Sequence, residues 1–321
     1  MRHMSTWDLL HRAGQDRRLA YALRALALSE IIVLGFLIWH WHLAGFAAIT
    51  IAAMTACTWL AGRLFVPIGS YGFKWALGDW PRAVRGSPTH ALRVLMLESF
   101  WMLRIYALDH PWRSLPVQQV AQSPKPPLIL VHGFLCNAAI WRPLLDSGEI
   151  GDRSVVALSL EPTYRRFVAQ LKALEDCVAQ VLRDSPGCKV MLVGHSMGGL
   201  LCRAFAAEFP GRVAGVVCIA APHHGTWFGN LVYGRENGPP SARSQWLHQF
   251  NQHTRECINL PALNLWTDQD NIVIPAQGSR LAHTPERKLD GLGHIAAVAS
   301  ATAVGAIVQA IHTLEAQESA Q

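Results

Sequence analysis

Two stretches near the N-terminus are apolar almost without interruption. From Ala25 to about Trp41 the run is broken by Ser29 and Glu30, with His40 at its end, and from Leu43 to Leu64 the one charge is Arg63. Each is long enough, as a helix, to cross ~30 Å of hydrocarbon. The intervening His40-Trp41-His42-Leu43-Ala44-Gly45 leaves room only for a tight turn, so the two runs predict an antiparallel hairpin. Trp39, Trp41 and Trp59 fall where aromatic belts form. Ala48, Ala52 and Ala56 recur every four residues, which predicts a small-residue stripe against which the first helix packs. Glu30 lies about one turn inside the boundary, within reach of the headgroup region or of Arg24 and Arg63. A cleaved leader would need one short apolar core and a small-residue cleavage site, which a double span does not resemble.

The pattern changes after Leu64. Residues 65–112 interleave Tyr71, Phe73, Trp75, Trp80, Phe100, Trp101 and Tyr106 with Lys74, Arg82, Arg85, Arg93 and Arg104. Helical spacing from Thr89 to Leu108 fits a helix lying in the membrane interface or one packed on a soluble domain, and Arg93, Glu98 and Arg104 argue against a third span. Pro116, Pro124, Pro126 and Pro127 mark a linker. Beyond it, short apolar runs at 128–131, 155–160, 189–193 and 213–219 alternate with helical patterns at 163–184 and 197–209. That alternation predicts an α/β fold, a mostly parallel sheet with helices on both faces, whose site lies at the carboxyl ends of the strands. The expected organisation is a basic segment 1–24, a transmembrane hairpin 25–64, an interfacial region and linker 65–125, an α/β domain 126–315 and a tail 316–321.

Composition sharpens this picture in three ways. Half of the 321 residues are hydrophobic, 16% are charged and mean hydropathy is +0.18, more apolar than a purely soluble enzyme of this size. The seven cysteines form no CxxC pair, and the odd count argues against a disulfide framework. The net charge of +6 is spread without a Lys/Arg tract, so it reads as membrane-flanking charge and not as a nucleic-acid surface. Basic residues precede the first span and follow the second, while the turn between has none. The positive-inside rule therefore predicts an integral membrane protein with both ends, and the α/β domain, in the cytoplasm.

The chemistry concentrates at Gly194-His195-Ser196-Met197-Gly198, between the apolar strand 189–193 and a helix rich in small residues. A serine on so sharp a strand-to-helix turn needs residues without Cβ two before and two after it, which Gly194 and Gly198 supply. The helix N–H groups then face any oxyanion that forms beside Ser196. The N–H of Met197 is one expected donor, and that of Phe134, in the loop after strand 128–131, the other. Ser196 needs a base and the base an orienting acid. His294 stands in a glycine-rich loop between a short strand and the last helical stretch, expected over 295–314, and is the predicted base. By elimination, Asp268 and Asp270 remain as acids, and Asp270, opening the turn into Ile272-Val273-Ile274-Pro275, is preferred. His132 reads as a loop-ordering residue. His40-x-His42 and His223-His224 lack further ligands at metal spacing, so no metal is expected.

As a set, Val131-His132-Gly133-Phe134, Gly-His-Ser-Met-Gly-Gly at 194–199, Ala-Pro-His-His-Gly-Thr at 221–226, Asp-Asn-Ile-Val-Ile-Pro at 270–275 and Gly-Leu-Gly-His at 291–294 resemble the bacterial triacylglycerol lipase and esterase branch of the α/β-hydrolase superfamily. The resemblance covers residues 126–314. It implies the α/β-hydrolase fold and hydrolysis of a lipid or other acyl ester through an acyl-enzyme on Ser196, without an organic cofactor. It also implies that residues 222–260 correspond to a lid-like insertion. An acyltransferase could use the same Ser-Asp-His set, and a non-catalytic membrane scaffold would require a disrupted one.

Overall fold

The computed structural model describes residues 17–81, 86–113, 123–160, 166–233, 241, 244–257 and 260–318. Most of the basic N-terminal segment, Arg82, Arg85, residues 114–122 of the proline-rich stretch, the expected helix start at 163 and the polar part of the insertion around Arg235 to Pro240 lie outside them.

The described residues open with two long helices, α1 (Arg18–Leu43) and α2 (Ala48–Ala76). Both are long and apolar enough to cross a membrane, and they are joined by a turn at Gly45, where φ is 82°. Glu30 of α1 is ion-paired with Arg63 of α2, so the carboxylate that the sequence leaves between headgroups and arginines has its cation inside the hairpin. The seam differs from expectation. Ala48, Ala52 and Ala56 are exposed, whereas Ile51 is buried and Thr55 partly so. Positions 51 and 55 lie one residue, about 100°, around from the alanine stripe, and α2 turns that bulkier face inward. α2 also runs twelve residues past Leu64, through Pro67, and carries Ser70, Tyr71 and Lys74 into buried positions.

α3 (Pro88–Leu103) opens with Pro88 at its first position and Ser87 as N-cap, its hydroxyl accepting from His90 N–H at 3.3 Å. A π-helical turn, Arg104–Asp109, continues it. The sequence allowed α3 to lie in the interface or to pack on the domain, and one face packs on the domain while the other is exposed. Val94, Glu98, Trp101 and Ile105 are buried, with Trp101 and Ile105 inside the main hydrophobic core. Leu92, Met96 and Phe100, four residues apart on the other face, are more than half exposed.

The remainder alternates strand and helix as far as β4 and then runs helix-helix, strand-strand, helix-helix: β1 (Leu128–Val131), α4 (Arg142–Asp146), β2 (Val155–Leu158), α5 (Phe167–Asp184), β3 (Val190–His195), α6 (Met197–Glu208), β4 (Val213–Ile219), α7 (Trp227–Tyr233), α8 (Gln245–Cys257), β5 (Ala262–Trp266), β6 (Glu286–Lys288), α9 (Ala296–Ala299) and α10 (Ala301–Glu318). The last two were expected as one helix; Ser300 breaks it with an extended backbone, and its hydroxyl accepts from Ala303 N–H at 3.2 Å. The six strands form one parallel sheet in the order β2-β1-β3-β4-β5-β6. Every residue of β1, β3 and β4 is buried, as their unbroken apolar runs require of strands covered on both faces. One face packs α3, α9 and α10, the other α5, α6 and Leu247 of α8. The central strands β1, β3 and β4 end together at one edge, and that edge carries the loops described next.

Candidate active site

At the end of β3 the chain turns through Ser196 with φ 56° and ψ −126°, a conformation L-residues rarely adopt. The two flanking glycines are required by contact. A Cβ on Gly194 would lie 2.4 Å from the Gly198 carbonyl oxygen, and one on Gly198 would lie 2.2 Å from the oxygen of Val131. Backbone meets backbone there, so no side chain can yield. The turn is anchored by Ser196 N–H donating to Ile219 O at 2.8 Å and Gly199 N–H donating to Ser196 O at 2.9 Å. Ser196 is thus fixed by the sheet, between β3 and the first turn of α6.

The loop after β1 presses on the serine. A Cβ on Gly133 would stand 2.8 Å from Ser196 Cβ and 3.3 Å from its Oγ, so the backbone leading into Phe134 passes directly against the hydroxyl. His132 orders this loop: its Nδ1 donates to Gly133 O and its Nε2 accepts from Leu160 N–H, both at 2.8 Å. Burial lowers its pKa to about 4, so the ring is neutral, in keeping with those two roles. Of the expected oxyanion donors, Met197 directly follows Ser196 at the start of α6, and Phe134 directly follows Gly133, whose backbone approaches the serine.

Asp270 and His294 are brought together. His294 Nδ1 lies 2.8 Å from Asp270 Oδ2, and both side chains are buried. Asp270 Oδ1 accepts two further N–H groups, from Ile272 and Val273, each at 2.8 Å. The carboxylate is therefore held at both oxygens, and its orientation toward the ring is set by the turn that it caps. Burial alone would lower the pKa of His294. The charge and hydrogen bond of Asp270, with the charge of Glu98, outweigh it and raise the ring above its ordinary 6.5. Asp268, the alternative acid, is instead ion-paired with Lys288 at 2.7 Å, at the surface.

The elbow and the base meet through His195, whose ring lies 4.7 Å from that of His294 and whose Nε2 donates to the His294 carbonyl at 3.2 Å. The other polar contacts of His294 run to Asp270 and, from its own N–H, to Asn271 Oδ1 at 3.0 Å. A hydrogen bond to Ser196 Oγ is not among them; such bonds are commonly long without substrate. Beside the acid turn, Phe65, Val66 and Phe73 of α2 face Trp227 and Phe228 of α7 across an apolar groove of about 610 Å³ that ends on Ile272.

A strained serine on a β-to-α turn, a buried Asp–His pair at the same sheet edge and this strand order form one architecture, and residues 126–241 match the family described as the alpha/beta hydrolase fold. The chain has the α/β-hydrolase fold. Similar curated proteins are the pimeloyl-[acyl-carrier protein] methyl ester esterases of Salmonella heidelberg, 34% identical over 128 residues (39% of this chain, 45% of that protein), and of Aliivibrio salmonicida, 26% identical over 144 residues (44% and 51%). This chain spans about half the length of the curated relatives it matches. Among solved structures, Bacillus licheniformis lipase BlEst2 in propeptide form aligns with a TM-score of 0.49 at 17% identity, covering 61% of this chain and 52% of that one.

Four residues around this candidate site carried no assignment from sequence. Asn271 lay inside a quoted motif without a role, and Glu98, Ser70 and Tyr71 lie far upstream. Glu98 Oε1 and Oε2 accept the N–H groups of Ile295 and Ala296, each at 2.9 Å, and Ser70 Oγ accepts from Asn271 Nδ2 at 2.9 Å. Their one sequence signal was a lone carboxylate in an otherwise apolar helix.

Proposed function

We propose that the chain is a membrane-anchored serine carboxylic-ester hydrolase that cleaves acyl esters through an acyl-enzyme on Ser196. The observation that carries this reading is the buried Asp270–His294 pair, held at both carboxylate oxygens, at the same sheet edge as a serine strained out of its strand. His294, protonated on Nδ1 by the bond to Asp270, presents Nε2 as the base. It takes the Ser196 proton as Oγ attacks the ester carbonyl, and the oxyanion meets the N–H groups of Met197 and Phe134. The imidazolium, stabilised by Asp270, then returns the proton to the leaving alcohol. Water, deprotonated by the same ring, releases the acid and the serine.

The anchor is the hairpin of α1 and α2, with the hydrolase body on the side from which the hairpin enters, the cytoplasmic side by the distribution of Lys and Arg. The exposed apolar row Leu92, Met96 and Phe100 on α3 supports contact with the same surface. The apolar groove beside the acid turn supports a substrate with an acyl chain, and the names of the curated relatives support an ester as the bond cleaved. Washed membranes containing the protein should hydrolyse p-nitrophenyl esters, with a preference for chains longer than acetyl, and Ser196→Ala should abolish this. Turnover that survives Ser196→Ala, or none in the folded wild type across C2 to C16, would refute the proposal.

A further inference from the structure

We propose that Glu98 is a positioning residue for His294, and that the helices preceding the sheet therefore form part of the catalytic machinery as well as an anchor. This rests on the hydrolase reading above. Ser196 is fixed by β3, β4 and α6. The loop carrying His294 is held from two sides: from the sheet by His195 at the end of β3 and by Thr267 after β5, whose hydroxyl donates to Leu292 O at 2.7 Å, and from outside the sheet by α2 and α3. Both oxygens of the fully buried Glu98 carboxylate are committed to the two N–H groups that directly follow His294, so neither the carboxylate nor the backbone it grips is free to rotate. On the preceding side, a Cβ on Gly293 would lie 2.4 Å from Tyr71 Oη and 2.6 Å from Glu98 Oε2, so the side-chain ends of Tyr71 from α2 and Glu98 from α3 lie directly against the loop there.

Three further bonds run from the same upstream region to the acid and base loops. Ser70 Oγ receives Asn271 Nδ2, and Asn271 Oδ1 in turn receives His294 N–H. His90 Nε2 lies 3.1 Å from Gln269 Nε2, and Gln269 Oε1 accepts the Gly291 N–H. Asp79 Oδ2 accepts Ala276 N–H at 2.9 Å and is paired with the buried Lys74 at 2.6 Å. The placement of the base against the nucleophile therefore depends on how α2 and α3 dock as well as on the bonds from His195 and Thr267, because both helices are tied to the acid and base loops while the serine is tied to the sheet. Errors of 1 Å in such a placement cost about a hundredfold in rate.

Glu98 also carries charge into the site. The groups that face it and His294 are Asp270 from the turn after β5, Tyr71 from α2 and His195 from β3. Its own pKa is raised to about 7, first by burial, with the two N–H bonds opposing, so keeping a carboxylate here is unfavourable for stability alone. A purely structural cap needs only the two acceptor oxygens and would leave the titration of the base unchanged. A positioning residue beside the base also changes the base's titration.

The test uses the full chain in detergent or nanodiscs, comparing wild type, Glu98→Gln and Ser70→Ala, with Ser196→Ala as the blank. Ester kcat and KM, the pH dependence of labelling by a fluorophosphonate, and the thermal midpoint are measured on each. Glu98→Gln keeps the shape but loses the charge and one of two acceptors. It should lower kcat about ten- to hundredfold with KM nearly unchanged, and move the acid limb of labelling to lower pH. Ser70→Ala should lower kcat several-fold through Asn271 and leave the acid limb in place. If Glu98→Gln does not fold, the loss in Ser70→Ala decides the matter. Wild-type kcat per folded molecule and an unmoved acid limb in Glu98→Gln, or wild-type kcat in Ser70→Ala, would overturn the positioning role while leaving the hydrolase reading intact. A wild type that does not label at Ser196 would overturn both.

Discussion

Replacing Asp270 with asparagine changes one atom and reverses one hydrogen bond. Asp270 Oδ1 accepts from the N–H groups of Ile272 and Val273, and only an oxygen can satisfy both. In Asp270→Asn the amide oxygen must therefore keep that position, which turns the NH2 toward His294 Nδ1, now 2.8 Å from Oδ2. The amide donates, so Nδ1 must accept, and the proton moves to Nε2, where it blocks removal of the Ser196 proton. Returning the ring to its productive tautomer sets two donors against each other and forfeits a buried hydrogen bond, about 1–3 kcal/mol. The imidazolium formed during catalysis also loses its counter-charge, about 4 kcal/mol at ~4 Å and an effective dielectric constant near 20. Together these amount to a loss of about four orders of magnitude or more in kcat at roughly 1.4 kcal/mol per decade. The thermal midpoint should stay within a few degrees, since the turn keeps its cap. Ester hydrolysis by purified protein, with unfolding followed by circular dichroism, measures both. An Asp270→Asn enzyme within tenfold of wild type would refute this reasoning, because it would mean that the carboxylate neither sets the tautomer nor supports the charge.

Three other outcomes follow from the same structure. Because Asp270 and Glu98 raise His294 above 6.5 against the effect of burial, kcat/KM should fall as pH is lowered through a value above 6.5; the raised pKa of the folded ring also adds stability that is present below 6.5 and lost as pH rises through the folded value. A pH series of initial rates and thermal midpoints reads both signs. Gly198→Ala sets a Cβ 2.2 Å from the Val131 oxygen and should cost about 3 kcal/mol or more, seen as loss of folded protein in a thermal scan. Arg63→Gln leaves Glu30 without its cation in an apolar setting and should lower the midpoint in lipid, while the double variant Glu30→Gln with Arg63→Gln should recover most of the loss.

What the sequence made legible was local. The glycines around Ser196 are read directly because a backbone contact at 2.2–2.4 Å admits only one residue type. The parallel sheet could be read from unbroken apolar strands alternating with helical stripes. Asp270 could be preferred over Asp268 because a turn-opening aspartate has a signature of its own. The remainder depended on rotation and distance, which spacing does not encode. The alanine stripe of α2 has the right period but lies about 100° from the face that packs. The extension of α2 through Pro67 to Ala76 was hidden because aromatic and basic residues interleave there as they would at an interface. Glu98 was visible only as a charge that disqualifies a membrane span. Its partners are backbone N–H groups 197 and 198 residues away, and a backbone N–H has no residue type by which to recognise it.

The most direct measurement of the central claim is mass-spectrometric mapping of the adduct formed when a fluorophosphonate reacts with the folded protein in membranes. One modified peptide is expected, with the phosphonate on Ser196, together with its loss in Ser196→Ala and strong reduction in His294→Ala. Labelling at another residue, or equal labelling of Ser196 in the His294→Ala protein, would contradict it.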